Sequence, residues 1–186
     1  VIKEVSFAAA KMEEAIRAHL GVDADPVLYT NDLWDLTYFT VPSGAKDISD
    51  LNYLTFVEDL AIDSLRSGQL SNLNALVNLT SLQIRNTSIN TEELALIGTL
   101  PKLEHLTLSG CGLATVKGLE NSEKLISLDL SQNAVRDLTP LAKLSGLQQL
   151  YLQNNAIEDL TPITNLSELT SLDVSFNSLT SISPAF

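Results

Sequence analysis

The sequence of 186 residues predicts an α/β solenoid. We expect a right-handed superhelix with a parallel β-sheet on its concave side, 3₁₀ or turn segments on its convex side, and a helical cap at the N-terminus. Three observations lead to this prediction. One unit recurs along the chain, the apolar residues of each unit alternate as they do in a strand, and residues 8–20 have the apolar spacing of a helix.

The repeat is clearest in two consecutive segments. Leu125–Gly146 reads LISLDLSQNAVRDLTPLAKLSG, and Leu147–Glu168 reads LQQLYLQNNAIEDLTPITNLSE. Both begin with the pattern LxxLxLxxN, which is typical of leucine-rich repeats. Units in this register begin at Val57, Leu79, Leu103, Leu125, Leu147 and Leu169. We therefore divide the chain into a helical cap (1–36), an irregular first repeat (33–56) and six repeats (57–186), and we expect the last repeat to be truncated.

Each unit carries leucines whose alternation predicts a short strand with one apolar face. A single unit has nothing to bury these leucines against, so the units must stack. The asparagine of the pattern recurs at Asn133, Asn155 and Asn177, and we predict that its amide bonds to backbone groups of adjacent turns. Earlier units replace it with Leu65, Thr87 and Cys111. Cys111, the single cysteine, is therefore interpreted as a small buried side chain and not as a nucleophile.

Between the strands, the sequence predicts the convex side and the helices. Pro140, Pro162 and Pro184 recur at one phase, which predicts turns or short 3₁₀ segments. The longer unit contains INTEELALIGTLPK, which predicts a helical turn. Ser122 stands where a leucine is expected, so we expect looser packing there.

The two ends of the chain differ. We predict a helix over Ala8–Leu20 that stops at Gly21, and a second short helix that is capped by Thr30 or Asn31 and runs to Leu36. These helices would cover the first core layer. The C-terminal segment 181–186 stops within a repeat, so we expect that the natural chain continues or that a partner covers this end.

Side chains that point away from the leucines should line the exposed face of the sheet. The candidate binding residues on this face are Asp63, Arg85, His105, Asp129, Tyr151, Asp173 and Phe176. We expect Tyr151, Asp129, Asp173 and Phe176 at the centre of any contact, because exposed aromatic residues on rigid surfaces are frequent hot spots. The alternative is a face that is merely solvated.

The composition argues against several classes of function. A net charge of −12 without a run of Lys or Arg argues against binding of a nucleic-acid backbone. The uncharged segment Ser67–Ile84 is too polar to insert into a membrane. The two histidines lack a triad or zinc pattern, and there is no calcium or phosphate loop. We therefore expect neither an enzyme nor a metal or other cofactor.

One resemblance covers nearly all of the chain. The stretch DISDLNYLTFVEDLAI, Asp47–Ile62, and the repeat with DLTPL resemble those of bacterial internalin-like leucine-rich-repeat proteins. The N-terminal pattern is similar to the helical cap of the same family at Phe7, Glu14, Ile16, Arg17, Leu20, Thr30, Asp32, Leu33 and Leu36. The resemblance implies an exported or surface-attached protein that binds other proteins. The chain departs from the family in its early repeats, which lack the asparagine, and in its concave face, which has few aromatic residues.

Three functional hypotheses stay open at this point. The first is an exported or cell-surface protein-binding module, the second is a cytoplasmic regulatory scaffold that resembles the phosphatase-regulating leucine-rich-repeat proteins, and the third is a structural spacer in a larger surface protein. We expect a monomer whose partner is another protein, with association through the uncovered C-terminal end as an alternative.

Overall fold

The computed structural model describes residues 1–65 and 68–180. Among them, seven parallel strands form one sheet whose spatial order is the order of the chain. The strands, β1 to β7, are Tyr38–Thr40, Asp59–Asp63, Ser81–Arg85, His105–Ser109, Ser127–Asp129, Gln149–Tyr151 and Ser171–Asp173. This arrangement confirms the predicted solenoid.

Helical segments precede β1 and connect the later strands in every case except between β4 and β5. Two are α-helices, α1 (Ala10–Leu20) and α2 (Thr91–Ile97). The remaining helical segments are short 3₁₀ turns at Thr30–Leu33, Ser49–Tyr53, Leu70–Ala75, Thr139–Leu141 and Thr161–Ile163. The last two contain Pro140 and Pro162, as predicted, because proline fixes φ and donates no hydrogen bond. The turn predicted at Pro184 and the uncovered end predicted at 181–186 lie outside the described residues.

The core is one continuous column of aliphatic side chains between the sheet and the convex turns. One leucine of each regular strand stands in register with the leucine of the next strand, from Leu60 in β2 to Leu172 in β7. Leu128 and Leu150 are fully buried in this row. Each such side chain contributes roughly 1.5–3 kcal/mol, which explains why the leucines recur with the repeat.

Helix α1 covers the first layer of the column. Met12 and Ile16 are fully buried, and the helix ends at Gly21, whose φ of 66° is readily adopted by glycine. The N-terminal end of α1 is held by a residue that is distant in sequence. The carboxylate of Asp50, which is 1% exposed, accepts hydrogen bonds from the backbone N–H groups of Ala8 and Ala9 at 2.8 and 3.0 Å.

The prediction of a second helix is wrong in the type and the length of the helix. It is a 3₁₀ turn over Thr30–Leu33, and Trp34 follows it with 52% of its surface exposed. The residue before this turn is Tyr29, whose N–H donates to the Asp32 carboxylate at 2.7 Å, so neither Thr30 nor Asn31 is the cap. A longer helix does not fit here because the chain joins the sheet at Tyr38.

Helix α2 lies in the longer unit, as predicted. The Asn90 side chain caps it, and Glu93 closes the capping box through the Asn90 N–H. The other carboxylate oxygen of Glu93 accepts from the N–H groups of Gly68 and Leu70 in the preceding turn. Ser122 is buried and donates to the Gly98 carbonyl at 3.4 Å. A polar contact therefore takes the place of the leucine in this turn.

Candidate functional site: the concave ribbon

The exposed face of the sheet, which we call the concave ribbon, carries the side chains that alternate away from the leucines. The β-ladder aligns them in rows across the strands. The first row is Tyr38, Asp59, Ser81, His105, Ser127, Gln149 and Ser171. The middle row is Thr40, Ala61, Gln83, Thr107, Asp129, Tyr151 and Asp173.

Three candidate residues are immediate neighbours in the middle row. Tyr151 on β6 is paired in register with Asp129 on β5 and with Asp173 on β7. Adjacent strands lie about 4.8 Å apart, so the phenol ring stands between two carboxylates. All three side chains are half-buried, which restricts their motion while leaving them accessible.

Both carboxylates are fixed by the backbone that follows them. Asp129 Oδ1 accepts from the N–H of Ser131 at 2.8 Å, and Asp173 Oδ1 accepts from the N–H of Ser175 at 2.9 Å. Hydrogen bonds from the hydroxyl and backbone N–H of Ser175 lower the pKa of Asp173 below its usual value. Asp173 is therefore a charged and oriented acceptor at neutral pH.

Phe176 follows β7 and is the most exposed aromatic residue of the described part of the chain, at 79%. Its φ is +55°, in the left-handed region that a bulky residue rarely adopts. The same position in the other turns has positive φ and is occupied by Ser64, Asn86, Gly110, Gln132 and Asn154. An exposed ring on a disfavoured backbone stabilises neither the core nor the turn.

The remaining candidates lie apart from this group. Asp63 and Arg85 are register partners at the ends of β2 and β3. Asp63 accepts from the Asn86 amide at 3.0 Å and from the Ser64 hydroxyl at 2.8 Å, and these two bonds are the largest contributions to the lowering of its pKa. His105 is exposed in the first row on β4. The structure thus brings together Asp129, Tyr151 and Asp173, and separates them from the pair on β2 and β3.

Two serines that the alternation predicted to be exposed are buried. Ser109 and Ser131 are 7% and 4% exposed, and their hydroxyl oxygens lie 2.9 Å apart. They stand where the strand bends into the turn, so the alternation no longer decides which side chains face solvent. The ribbon is consequently narrower on β4 and β5 than the sequence indicates.

The asparagine ladder lies directly beneath this bend. Asn133 Oδ1 accepts from the N–H groups of Cys111 and Leu113, both at 3.0 Å, and its amide donates to the carbonyls of Leu108 and Leu130. Asn155 and Asn177 lie one and two turns later, where each amide oxygen accepts from one N–H group, of Val135 or Ile157, and each amide nitrogen donates to leucine carbonyls. Each amide therefore connects two turns and fixes the strand ends that present the ribbon.

The Cys111 side chain is fully buried at the same ladder position. Its thiol lies 3.4 Å from the Ile84 carbonyl, and burial raises its pKa to about 11. A thiol with this pKa is protonated at neutral pH and is not a nucleophile.

The irregular first strand, β1, also contributes to the ribbon, and the repeat pattern did not predict this contribution. Tyr38 is 62% exposed at the start of the first row, and its ring meets His19 of α1 edge-on at 4.5 Å. The same alternation, applied to residues 38–40, would have found it. This strand was not predicted because the first repeat does not follow the regular spacing of the later units.

Residues 1–65 and 68–180 contain no group of three or more His, Cys, Asp or Glu side chains placed to share a metal ion. Within the same ranges, every helix is too short or too polar to cross a membrane.

The comparison with protein families agrees with the repeat. A family model described as "Leucine Rich repeats (2 copies)" matches residues 123–165 and 145–185. No curated protein matches the chain significantly by sequence.

Solved structures extend the similarity to most of the chain. Internalin C2 from Listeria monocytogenes is 22% identical, with a TM-score of 0.75 over 95% of this chain and 88% of that chain. The internalin InlF from the same species is 24% identical, with a TM-score of 0.56 over 95% of this chain and 72% of that chain.

A more distant neighbour is the leucine-rich-repeat ectodomain of the plant receptor kinase GASSHO1/SCHENGEN3 from Arabidopsis thaliana, solved in complex with CASPARIAN STRIP INTEGRITY FACTOR 2. It is 24% identical, with a TM-score of 0.57 over 70% of this chain and 17% of that chain. The repeats and the shared architecture lead to one conclusion: the C-terminal part of the chain matches leucine-rich repeats by sequence, and the chain has a leucine-rich-repeat fold similar to that of the internalins.

Proposed function

We propose that this chain is a protein-binding module that holds its partner on the concave ribbon, within an exported or cell-surface bacterial protein. Leucine-rich-repeat domains are protein-interaction modules, and their curvature creates extended concave surfaces. The observation that carries the proposal for this chain is the row Asp129, Tyr151 and Asp173, which presents an aromatic ring between two carboxylates.

The row suits a basic side chain of a partner. A guanidinium or ammonium group over the ring of Tyr151 would gain a cation–π interaction of about 0.5–2 kcal/mol. The Oδ1 atoms of Asp129 and Asp173 accept bonds from the chain itself, so the second oxygen of each carboxylate is the one available to a partner. The net charge of −12 would attract a basic partner over a longer range.

Phe176 supplies the second argument. It is exposed in the turn that follows β7, close in sequence to Asp173. Its backbone conformation and its exposure both work against stability, and natural proteins retain such features where they serve binding. We therefore assign Phe176 to the edge of the same contact.

Export to the bacterial surface is the finer part of the proposal. It is supported by the fold that this chain shares with two Listeria internalins and by the resemblance of its cap and first repeats to that family. The cytoplasmic scaffold and the structural spacer are the competing functions.

The test is capture of protein partners on the immobilised domain from surface and soluble fractions of bacterial and host cells, identified by mass spectrometry. The test variant carries Tyr151→Ala with Asp129→Lys. The matched control carries Tyr29→Ala with Glu168→Lys, which removes a ring and reverses a charge at exposed positions off the ribbon. Circular dichroism verifies that both variants are folded.

A prey that the wild type and the control retain, and that the test variant loses, supports the proposal. Equal retention by all three proteins, or no specific prey, removes the ribbon as a binding site and favours the spacer. A retained prey of intracellular origin from the source cell favours the cytoplasmic scaffold.

A further inference from the structure

A second surface lies along the edge where the chain enters the strands. A two-residue turn precedes each strand by a few residues, and we call these the entry turns. They are Trp34–Asp35, Thr55–Phe56, Val77–Asn78, Pro101–Lys102, Glu123–Lys124, Ser145–Gly146 and Ser167–Glu168. The first four each contain one exposed apolar residue, whereas the last three contain none.

The apolar residues of the first four turns are large and well exposed. Trp34 is 52% exposed, Phe56 44% and Val77 49%, and Pro101 is also exposed. We call these four residues the entry edge. The apolar side chains of this surface are therefore confined to the N-terminal half of the solenoid.

Contacts between neighbouring turns make the entry edge continuous. The rings of Trp34 and Phe56 lie 6.0 Å apart at a tilted angle. The Asn78 amide donates to the Thr55 carbonyl at 2.9 Å, and the Lys102 ammonium donates to Asn78 Oδ1 at 2.7 Å. These bonds join the second, third and fourth turns, so the four residues lie in successive, connected turns along one edge of the solenoid.

The fold does not require these side chains. The residues that anchor the turns are the buried ones that follow, such as Leu36, Val57 and Leu79, which are at most 1% exposed. An exposed apolar residue in the adjacent position adds little to the core. Contiguous exposed apolar side chains commonly mark interaction surfaces, and tryptophan is enriched at the centre of such interfaces.

The charges around the entry edge restrict what can dock there. Asp35 and Glu58 are exposed beside Trp34 and Phe56, and Glu104 is half-exposed near the fourth turn. Lys102 is the basic residue of these four turns, and its ammonium is bonded to Asn78. Since the chain carries a net charge of −12, a second copy or an anionic lipid surface would be repelled.

We propose that the entry edge docks an amphipathic segment of another protein, whose apolar side chains contact Trp34, Phe56 and Val77 and whose flanking Lys or Arg residues face Asp35 and Glu58. This surface is separate in position from the row on β5, β6 and β7. The proposal therefore stands whether or not the concave ribbon binds a partner.

Trp34 is the single tryptophan of the chain, so its fluorescence reports on the entry edge directly. The probe is an amphipathic peptide of leucine and lysine without tryptophan, and the charge control replaces each lysine with glutamate. We expect the lysine peptide to shift the emission of Trp34 to the blue with saturable binding, and the glutamate peptide to leave it unchanged.

Matched variants locate the binding. Phe56→Ser and Val77→Ser should each weaken binding of the lysine peptide, Phe56→Ser by about tenfold or more. Val27→Ser changes another valine with 53% exposure in the cap and should leave the affinity unchanged. Circular dichroism verifies that all three variants are folded.

Three outcomes would overturn the proposal. The first is equal affinity of the wild type, Phe56→Ser and Val77→Ser, and the second is equal binding of both peptides. The third is a blue shift that grows with protein concentration alone, which would make the occupant a second copy of this chain. None of these results depends on Tyr151 or Asp129. Failure of this proposal is therefore distinguishable from failure of the proposed function of the concave ribbon.

Discussion

The Asn133 side chain accepts a hydrogen bond at 3.0 Å from the backbone N–H of Cys111, the residue at the equivalent position of the preceding turn. At this point the hydrogen-bonding group of the ladder position changes to the amide of an asparagine. From Asn133 onward, each amide both accepts from and donates to neighbouring turns. Before it, Thr87 offers one hydroxyl, which accepts from the Leu65 N–H and donates to the Arg85 carbonyl.

Substitution of Asn155 tests the energetic role of the ladder. Asn155→Ala leaves the Val135 N–H without its acceptor, whereas the carbonyls of Leu130 and Leu152 each lose one amide donor and keep another, from Asn133 and Asn177. An unsatisfied buried polar group costs about 1–3 kcal/mol, so we expect a loss of about 2 kcal/mol in the free energy of unfolding. Urea denaturation measures it, with the exposed Ser145→Ala as the control. A loss equal to that of the control would show that water replaces the amide.

The repeat made the strands and their buried leucines predictable, because each unit must present the same apolar face to its neighbours. It did not predict the burial of Ser109 and Ser131, since the alternation of a strand does not extend into the turn that follows it. It placed Tyr151, Asp129 and Asp173 at the centre of one expected contact, but it did not say that they are neighbours in one row. Their adjacency follows from the register of β5, β6 and β7.

Other features depend on contacts between residues far apart in sequence. Asp50 holds the N-terminal end of α1, and Glu93 accepts from the backbone of Gly68 and Leu70. No local pattern distinguishes these carboxylates from solvated ones. The entry edge was missed for a related reason, because Trp34 and Phe56 are adjacent only when the irregular first repeat is stacked on the second.

The contact between Asp50 and α1 gives a second prediction. Asp50→Ala removes the acceptor of two backbone N–H groups in a buried position and should destabilise the protein by about 1–3 kcal/mol. Asp50→Asn, which keeps one acceptor oxygen, should lose less. Hydrogen exchange of the α1 amides measures the effect, and we expect α1 to lose protection before the strands do. Equal loss of protection in α1 and β6 would contradict a local capping role.

Cys111 should resist modification in the folded protein. Its burial and its pKa of about 11 leave little thiolate, so a disulfide reagent at pH 8 should react only as fast as the protein unfolds. An exposed cysteine at position 149, introduced as Gln149→Cys with Cys111→Ser, is the control and should react at once. Rapid reaction of Cys111 without denaturant would contradict its place in the core.

The same thiol makes stability dependent on alkaline pH. Folding raises the pKa of the thiol. Its contribution to the free energy of unfolding is therefore complete below the unfolded pKa of about 8.5, and it is lost as the pH rises through the folded pKa of about 11. The wild type should therefore lose stability over this interval relative to Cys111→Ser. Urea midpoints at a series of pH values measure the difference, and parallel curves would contradict it.

Two aspartates on the convex side give the opposite dependence on pH. Asp137 and Asp159 accept from the N–H groups of Thr139 and Thr161, and bonds from the threonine hydroxyl and backbone lower the pKa of both. A carboxyl group whose pKa is lowered on folding stabilises the folded protein at pH values above its unfolded pKa of about 3.9. This stabilisation is lost as the pH falls through the folded pKa. Asp137→Asn with Asp159→Asn should thus be less stable than the wild type at pH 7, and the difference should vanish in acid. If the double variant remains less stable than the wild type at the lowest pH, the loss of stability comes from packing and not from the charged carboxylates.

We expect that replacement of the Phe176 side chain stabilises the folded protein. The left-handed backbone of Phe176 costs of order 1–3 kcal/mol in a bulky residue, and the equivalent residue one turn earlier is Asn154, with a φ of +57°. Phe176→Asn should therefore raise the free energy of unfolding by about 1 kcal/mol, because asparagine tolerates this conformation better. Asn154→Phe is the matched control and should lower it by a similar amount. If Phe176→Asn instead destabilises the protein, the ring contributes to packing, and its exposure is no longer an argument for binding.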